Sequence, residues 1–283
     1  MALYYKEFQP HPLLARYIKC YWILEGHKKL PSPKAERILP DGCMELIFHL
    51  NDPVKRQTVD SFETQPRSFV SGQIRRYILL EPTGQLGVMG IRFQPAGAAA
   101  FFRVPMLELA EQTVGLDLIW GNPGKELESR VMETRTHCER VRQMEAWLIR
   151  QIDPRHNSDG VVDAAISAII SAQGEISMDT LLRKLPVSGR QLERKFNEKV
   201  GLTPKLFSRI IRFQKIFKLI AKNGPQRLTP LALDCGYYDQ SHFIREFKEF
   251  SGVNPAVYFT QTHRMSDFFT SSNGMSDLYN SNF

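Results

Sequence analysis

The stretch CGYYDQSHFIREFKEFSGVNPAVY, Cys235 to Tyr258, is echoed upstream by SGRQLERKFNEKVGLTPKLF, Ser188 to Phe207. Leu192, Arg194, Phe196, Gly201 and Pro204 of the first copy match Phe243, Arg245, Phe247, Gly252 and Pro255 of the second, each pair 51 positions apart (243 − 192 = 51). A constant offset that keeps apolar, glycine and proline positions together marks one supersecondary unit written twice.

Each copy carries the punctuation of a helix, a tight turn and a second helix. In the first, Val162, Ile166, Ile169 and Ile170 form the stripe of an amphipathic helix closed by Gly174; Ser177 then caps a short helix that Pro186 ends. Ser188 and Gln191 form a capping box that opens a helix from Gly189 to Val200. Leu192 and Phe196 face inward on it, leaving Arg190, Arg194, Lys195 and Asn197 outside. In the second copy LTPLALDC is the short helix, Gly236 and Tyr237 the turn, and Asp239 the N-cap of a helix through Phe250. Phe243 and Phe247 point to a core, so Gln240, Ser241, His242, Arg245 and Lys248 are left for solvent or a ligand. A helix with an exposed basic face fits a major groove.

Between the copies runs TPKLFSRIIRFQKIFKLIAKNG, Thr203 to Gly224. Thr203 is its cap, Pro204 its first residue, and Gly224 with Pro225 its end. About 20 residues at roughly 1.5 Å each make a rod of about 30 Å. Two reading helices held about one DNA turn apart, roughly 34 Å, would enter successive major grooves on one face of the duplex.

The chain of 283 residues is long enough for two domains, and its 42% hydrophobic and 24% charged residues are those of a globular protein. Its net charge is +7; residues 1–153 hold 20 basic and 18 acidic side chains and residues 154–283 hold 17 and 12, so most of the excess lies in the repeat region. That balance suits a polyanionic partner. No run of about 18 apolar residues predicts a membrane span, and the charges of the first 22 residues do not form a signal peptide, which points to the cytoplasm. Cys20, Cys43, Cys138 and Cys235 lack ligand spacing and read as reduced thiols.

Up to about residue 103 short β runs prevail: Met44 to Leu50, Arg67 to Ile74, Arg76 to Pro82 and Gln85 to Phe93, separated by turn residues. They predict an antiparallel sandwich or barrel. Glu126 to Ile152 is a helix or helix pair whose apolar face either packs on its own domain or pairs two subunits. Asp153 to Asn157 reads as a linker, and the Ser- and Asn-rich tail as loosely ordered.

The C-terminal stretches VSGRQLERKFNEKVGLTPKLF and ALDCGYYDQSHFIREFKEFSGVNPAVY resemble the DNA-binding domain of the AraC family of bacterial transcriptional regulators, over about 105 residues from Ser158 to His263. RILPDGCMELIFHL and GIRFQPAGAAAFFRVPMLELAEQ resemble a sensor domain of some such regulators. The resemblance implies a multidomain chain: a mainly β, cupin-like barrel or sandwich with a few helices, followed by an all-α double helix-turn-helix of homeodomain-like type. It divides the chain into a regulatory domain 1–125, a helical connector or dimerisation segment 126–157, a DNA-binding domain 158–263 and a tail 264–283. It places base-reading positions on Arg190, Glu193 and Arg194, and on Gln240, Ser241 and Arg245. Arg can bond guanine bidentately, Gln can read adenine and Glu can accept from cytosine. Lys248 joins them on the exposed face, and His242 either packs, touches phosphate or reads a base. Gly189, and Leu185-Pro186 in place of a small residue and glycine, depart from the family pattern in the first unit.

The same residues admit plainer readings. Arg194 and Arg245 can pair with Glu198 and Glu249 four positions on, and Tyr237, Tyr238 and Phe243 read as core. Arg37, Asp41, Glu45 and His49 either line a cavity or close a hairpin, the hairpin being preferred. His11, His27 and His49 are isolated, so no cupin metal set, and no catalytic or cofactor motif, is legible. The expectation is therefore a non-enzymatic, cofactor-free, metal-free regulator that binds double-stranded DNA. Its further partners are a small-molecule effector, a second copy of the chain and, for an activator, RNA polymerase. The alternatives are a cupin-type metal or small-molecule enzyme with an accessory DNA-binding domain, and a regulator whose first domain only dimerises.

Overall fold

A computed structural model describes residues 3–26, 35–152, 159–224 and 227–260. The expected linker Asp153 to Asn157, the tail 264–283, His27 and Pro225 lie outside them.

The first part of the chain supplies strands β1 (Leu3–Phe8), β2 (Ile18–Gly26), β3 (Glu36–Ile38), β4 (Glu45–His49), β5 (Val54–Gln57), β6 (Phe62–Thr64), β7 (Ser68–Ser71), β8 (Ile78–Pro82), β9 (Gly87–Phe93) and β10 (Thr113–Gly115). They form two antiparallel sheets, a large one in the order β1-β2-β9-β4-β7-β10 and a small one in the order β3-β8-β5-β6. The four runs expected from the sequence are β4, β7, β8 and β9. β2, nine residues long and paired on both sides in the large sheet, was not anticipated. Its residues are buried on both sides, so the alternation that marks a half-exposed strand is absent.

Successive side chains on a strand point to opposite faces, and this sorts the large sheet into two cores. Tyr21, Leu46, Phe48, Met89, Ile91 and Phe93 face one core. Trp22, Leu24, Ile47 and Val88 face the other, together with Val54, Ile38 and Leu80 of the small sheet. The first core is covered by helices α1 (Met106–Leu109), α2 (Leu116–Trp120), α3 (Asn122–Glu133) and α4 (His137–Gln151). Leu127, Val131, Val141, Met144, Trp147 and Leu148 of the last two are all buried there. The apolar face of this pair is thus spent on its own domain.

The remaining helices are α5 (Gly160–Ser171), α6 (Met178–Arg183), α7 (Gly189–Lys199), α8 (Pro204–Asn223), α9 (Leu228–Asp234), α10 (Gln240–Ser251) and α11 (Pro255–Tyr258). The expected caps are present: Ser177, Thr203 and Asp239 each accept a backbone N–H in the following turn. Ser188 and Gln191 close a reciprocal box. These helices share a third core, which also takes in Leu39 and Tyr77 from the β region. Pro40 O accepts from Gln214 Nε2 of α8 at 2.6 Å, and the amide of Tyr77 donates to Phe250 O of α10 at 2.8 Å.

Gly90 is required by close approach. A Cβ there would meet the Trp22 indole at 2.3 Å, with no flexible chain end to yield. Gly90→Ala is therefore expected to destabilise the β region by about 1 to 3 kcal/mol, the usual cost of overpacking. Chemical denaturation followed by tryptophan fluorescence checks it; an unchanged midpoint would contradict the packing described.

Candidate nucleic-acid interface

On α7, Arg190, Glu193 and Arg194 are exposed and share an open groove with Ser188, Gln191 and Asn197. Lys195 instead pairs with Asp159, the cap of α5. Burial opposes ionisation of Asp159, but bonds from Lys195 and from the Val162 and Val161 amides outweigh it and hold the carboxyl below its ordinary range. On α10, Ser241, Arg245 and Lys248 are exposed, whereas Gln240 and His242 are half-buried. Gln240 Oε1 accepts from Thr229 Oγ1 at 2.6 Å, and the His242 ring lies edge-on to Tyr237 at 5.3 Å.

The plainer reading of the two arginines finds no support. Glu249 is taken by Arg209 Nη2 at 2.5 Å and Glu198 by Lys199 Nζ at 3.2 Å. Among the described residues Arg194 and Arg245 make no ion pair. Tyr237 and Phe243 are buried as expected, but Tyr238 is 88% exposed, against its reading as core. Gly236, at φ 74°, turns the chain so that Tyr237 goes inward and its neighbour outward just before the Asp239 cap.

Sequence reasoning missed the group that fixes α10. Glu246 is only 4% exposed and accepts from Arg209 Nε at 2.7 Å and Arg212 Nη2 at 2.9 Å, both on α8. The Arg212 guanidinium also lies 4.7 Å from the Tyr237 ring centroid. The only signal was its position three residues after Phe243, on the core face of the helix. Apolar contacts complete the attachment: α7 packs on α8 through Phe196 and Phe207, 6.0 Å apart, and α10 through Phe247 against Phe213 at 5.4 Å.

A cavity of about 90 Å³ lies between the two sheets. Asp41, Glu45 and His49 line it, so the hairpin reading of these three is corrected. Arg37 is not among the lining residues; its guanidinium lies 5.4 Å from the Tyr77 ring centroid. Glu45 and Arg92 are direct partners in the β4–β9 register. Glu45 Oε1 accepts from Arg92 Nη2 at 2.7 Å, Arg92 Nε at 2.8 Å and Trp22 Nε1 at 3.0 Å, and Asp41 lies 3.6 Å from Arg92. Burial pulls the Arg92 pKa down, but Glu45 and Asp41 outweigh it and hold the guanidinium charged. Burial pushes the Glu45 carboxyl up, with Arg92 and Trp22 opposing. Burial also lowers His49 to about 4, so its imidazole is neutral at ordinary pH. Cys20, Cys43 and Cys235 are buried, and burial pushes each thiol to about 12. Among the described residues no group of three or more His, Cys, Asp or Glu is placed to hold a metal ion, and no helix is long and apolar enough to cross a membrane.

Residues 181–261 match the model of a helix-turn-helix domain. The C-terminal region is an AraC-type helix-turn-helix domain. Relatives of this region include the HTH-type transcriptional regulator MtrA of Neisseria gonorrhoeae, 34% identical over 86 residues, or 30% of this chain and 28% of that protein. A probable thc operon regulatory protein of Rhodococcus erythropolis is 29% identical over 110 residues, covering 38% of this chain and 33% of the relative. The likeness to these relatives thus spans a third or less of their length. Residues 6–115 match a domain of unknown function, DUF6597. The structure of ToxT from Vibrio cholerae aligns with 84% of this chain and 98% of its own at 12% identity and a TM-score of 0.47.

The Glu246 network yields a prediction for the AraC-type domain. Glu246→Ala removes a nearly buried charged acceptor from two arginines, a loss of about 2 to 3 kcal/mol by the usual worth of such bonds. Hydrogen exchange should show α10 losing protection while α3 and α4 keep theirs; unchanged exchange in α10 would contradict this attachment.

Proposed function

We propose that this protein is a sequence-specific DNA-binding transcriptional regulator of the cytoplasm, reading two successive major grooves through α7 and α10. Residues 158–263 are the DNA-binding part in this reading, residues 1–125 the regulatory part and residues 126–157 the helical connector. The observation that carries it is the pair Arg194 and Arg245, at equivalent positions of the repeated unit and both exposed. Arg190, Glu193 and Ser241 add base-edge contacts, Lys248 a phosphate contact, and the helix N-termini further phosphate contacts. Gln240 and His242 are partly engaged within their own unit, Gln240 Oε1 with Thr229 and the His242 ring with Tyr237. The names of the relatives, all regulators, agree with this reading. In this reading the protein is not an enzyme, in keeping with the names of those relatives.

The second part of the proposal is regulation from the β region. The segment Leu39 to Cys43 lines the cavity and also meets α8, through Pro40 O and through Gly42, where a Cβ would meet the Phe207 ring at 2.8 Å. Ile74 and Ile78 line the same cavity, and Tyr77 between them bonds to α10. A small effector in the cavity would press on both loops that touch the DNA-binding part.

Arg245→Ala is expected to weaken binding to the specific site by about 1 to 3 kcal/mol and to relax preference at one base pair; Lys248→Ala should weaken binding evenly across sequences and lower the salt slope by about 1. Fluorescence anisotropy against a bound genomic site and its single-base variants reads both. Equal loss at every sequence for Arg245→Ala would remove it as a base reader, and unchanged affinity would remove it from the interface.

A further inference from the structure

We propose that the inter-sheet cavity takes a small, largely apolar molecule carrying a hydrogen-bond-donating, protonated nitrogen, recognised by the carboxylate of Glu45. This rests on the reading of the β region as regulatory and names the chemistry of its ligand.

The walls are mainly apolar, with Trp22, Leu24, Ile47, Phe69, Leu80 and Val88 among them. Polar groups gather at Glu45, Asp41 and Arg92, and at His49 with Gln65. The one guanidinium is already bonded to Glu45 on two of its nitrogens, with Asp41 at 3.6 Å. The lining therefore sets two carboxylates against one cation, and an anionic ligand would meet repulsion where it needs a partner. All the described bonds to Glu45 fall on Oε1, which leaves Oε2 as an acceptor for an incoming donor. A donor there would offset the cost of holding this carboxylate out of water.

Lys19 lies close enough to act on the Cys43 thiol but does not line the cavity, so it does not offer an anion a direct contact. At the other end His49 is 2% exposed, and neither ring nitrogen makes a hydrogen bond of ordinary geometry to a described residue, although Gln65 is near enough to affect its titration. A buried polar ring at the wall of a cavity is a second anchor awaiting a partner. Glu45, Ile47 and His49 alternate along β4 and so share its cavity face. For scale, an apolar cavity of about 150 Å³ admits benzene. At about 90 Å³ this one suits a body of about five heavy atoms.

Isobutylamine, isobutanol and isovalerate share one branched apolar body and differ in the head. Titrated into the full chain and followed by thermal shift and calorimetry, isobutylamine should bind most tightly and isovalerate should not bind. Glu45→Gln should weaken isobutylamine at least tenfold, and Asp41→Asn serves if that variant does not fold. Filling the space with Val88→Phe should abolish binding. Isovalerate binding as well as the amine, an amine affinity indifferent to all three variants, or no binding by any of the three probes overturns the proposal. DNA binding by the ligand-free protein is scored separately, so loss of the ligand class with DNA binding intact leaves the regulator reading standing.

Discussion

Phe213 sits where α8 meets α10, its ring 5.2 Å from Phe217, 5.4 Å from Phe247 and 5.0 Å from Phe250. Six residues earlier on the same helix, Phe207 receives Phe196 of α7. Nine residues of α8 are buried, Ser208 and Gln214 among them, which a helix covered on one side only would not show. The buried polar pair bonds in two directions: Ser208 Oγ donates to Gly174 O after α5, and Gln214 Nε2 to Pro40 O of the β region. Both helix-turn-helix units and the first domain are thus packed on one helix, and the separation of the reading helices is set by where on α8 their aromatic residues land.

That arrangement gives the exposed arginines their meaning. Charged side chains on a helix surface ordinarily find a neighbour of opposite sign, and here the acidic candidates are used for construction. Glu246 and Glu249 bond to Arg209, and Glu246 to Arg212, so that the acids of α10 fasten it to α8. Asp159, the cap of α5, ties α7 to α5 through Lys195. The basic residues left over, Arg194, Arg245 and Lys248, point away from the protein with their charge available for phosphates and bases.

The repeat region was legible because its signals are local. A cap is decided by residues three positions apart, as at Ser188 and Gln191, and the inward stripe of α10 by Phe243 and Phe247. The cavity was legible only as one of two readings of Asp41, Glu45 and His49, because its polar centre depends on strand register. Glu45 and Arg92 are 47 residues apart and meet only when β4 pairs with β9, and Arg92 looked like any charged residue in GIRF. β2 was missed for a related reason: a strand buried on both faces loses its alternation and with it the pattern that identifies it. The docking of Tyr77 against Phe250 joins residues 173 positions apart (250 − 77), and no local pattern announces it.

The central claim is that α8 holds α7 and α10 for adjacent grooves on one side of the duplex. Hydroxyl-radical footprinting of the full chain on a bound genomic site tests it most directly. The account predicts two protected patches centred about 10 base pairs apart on the same face of the DNA. A single protected patch, or two on opposite faces, would contradict it.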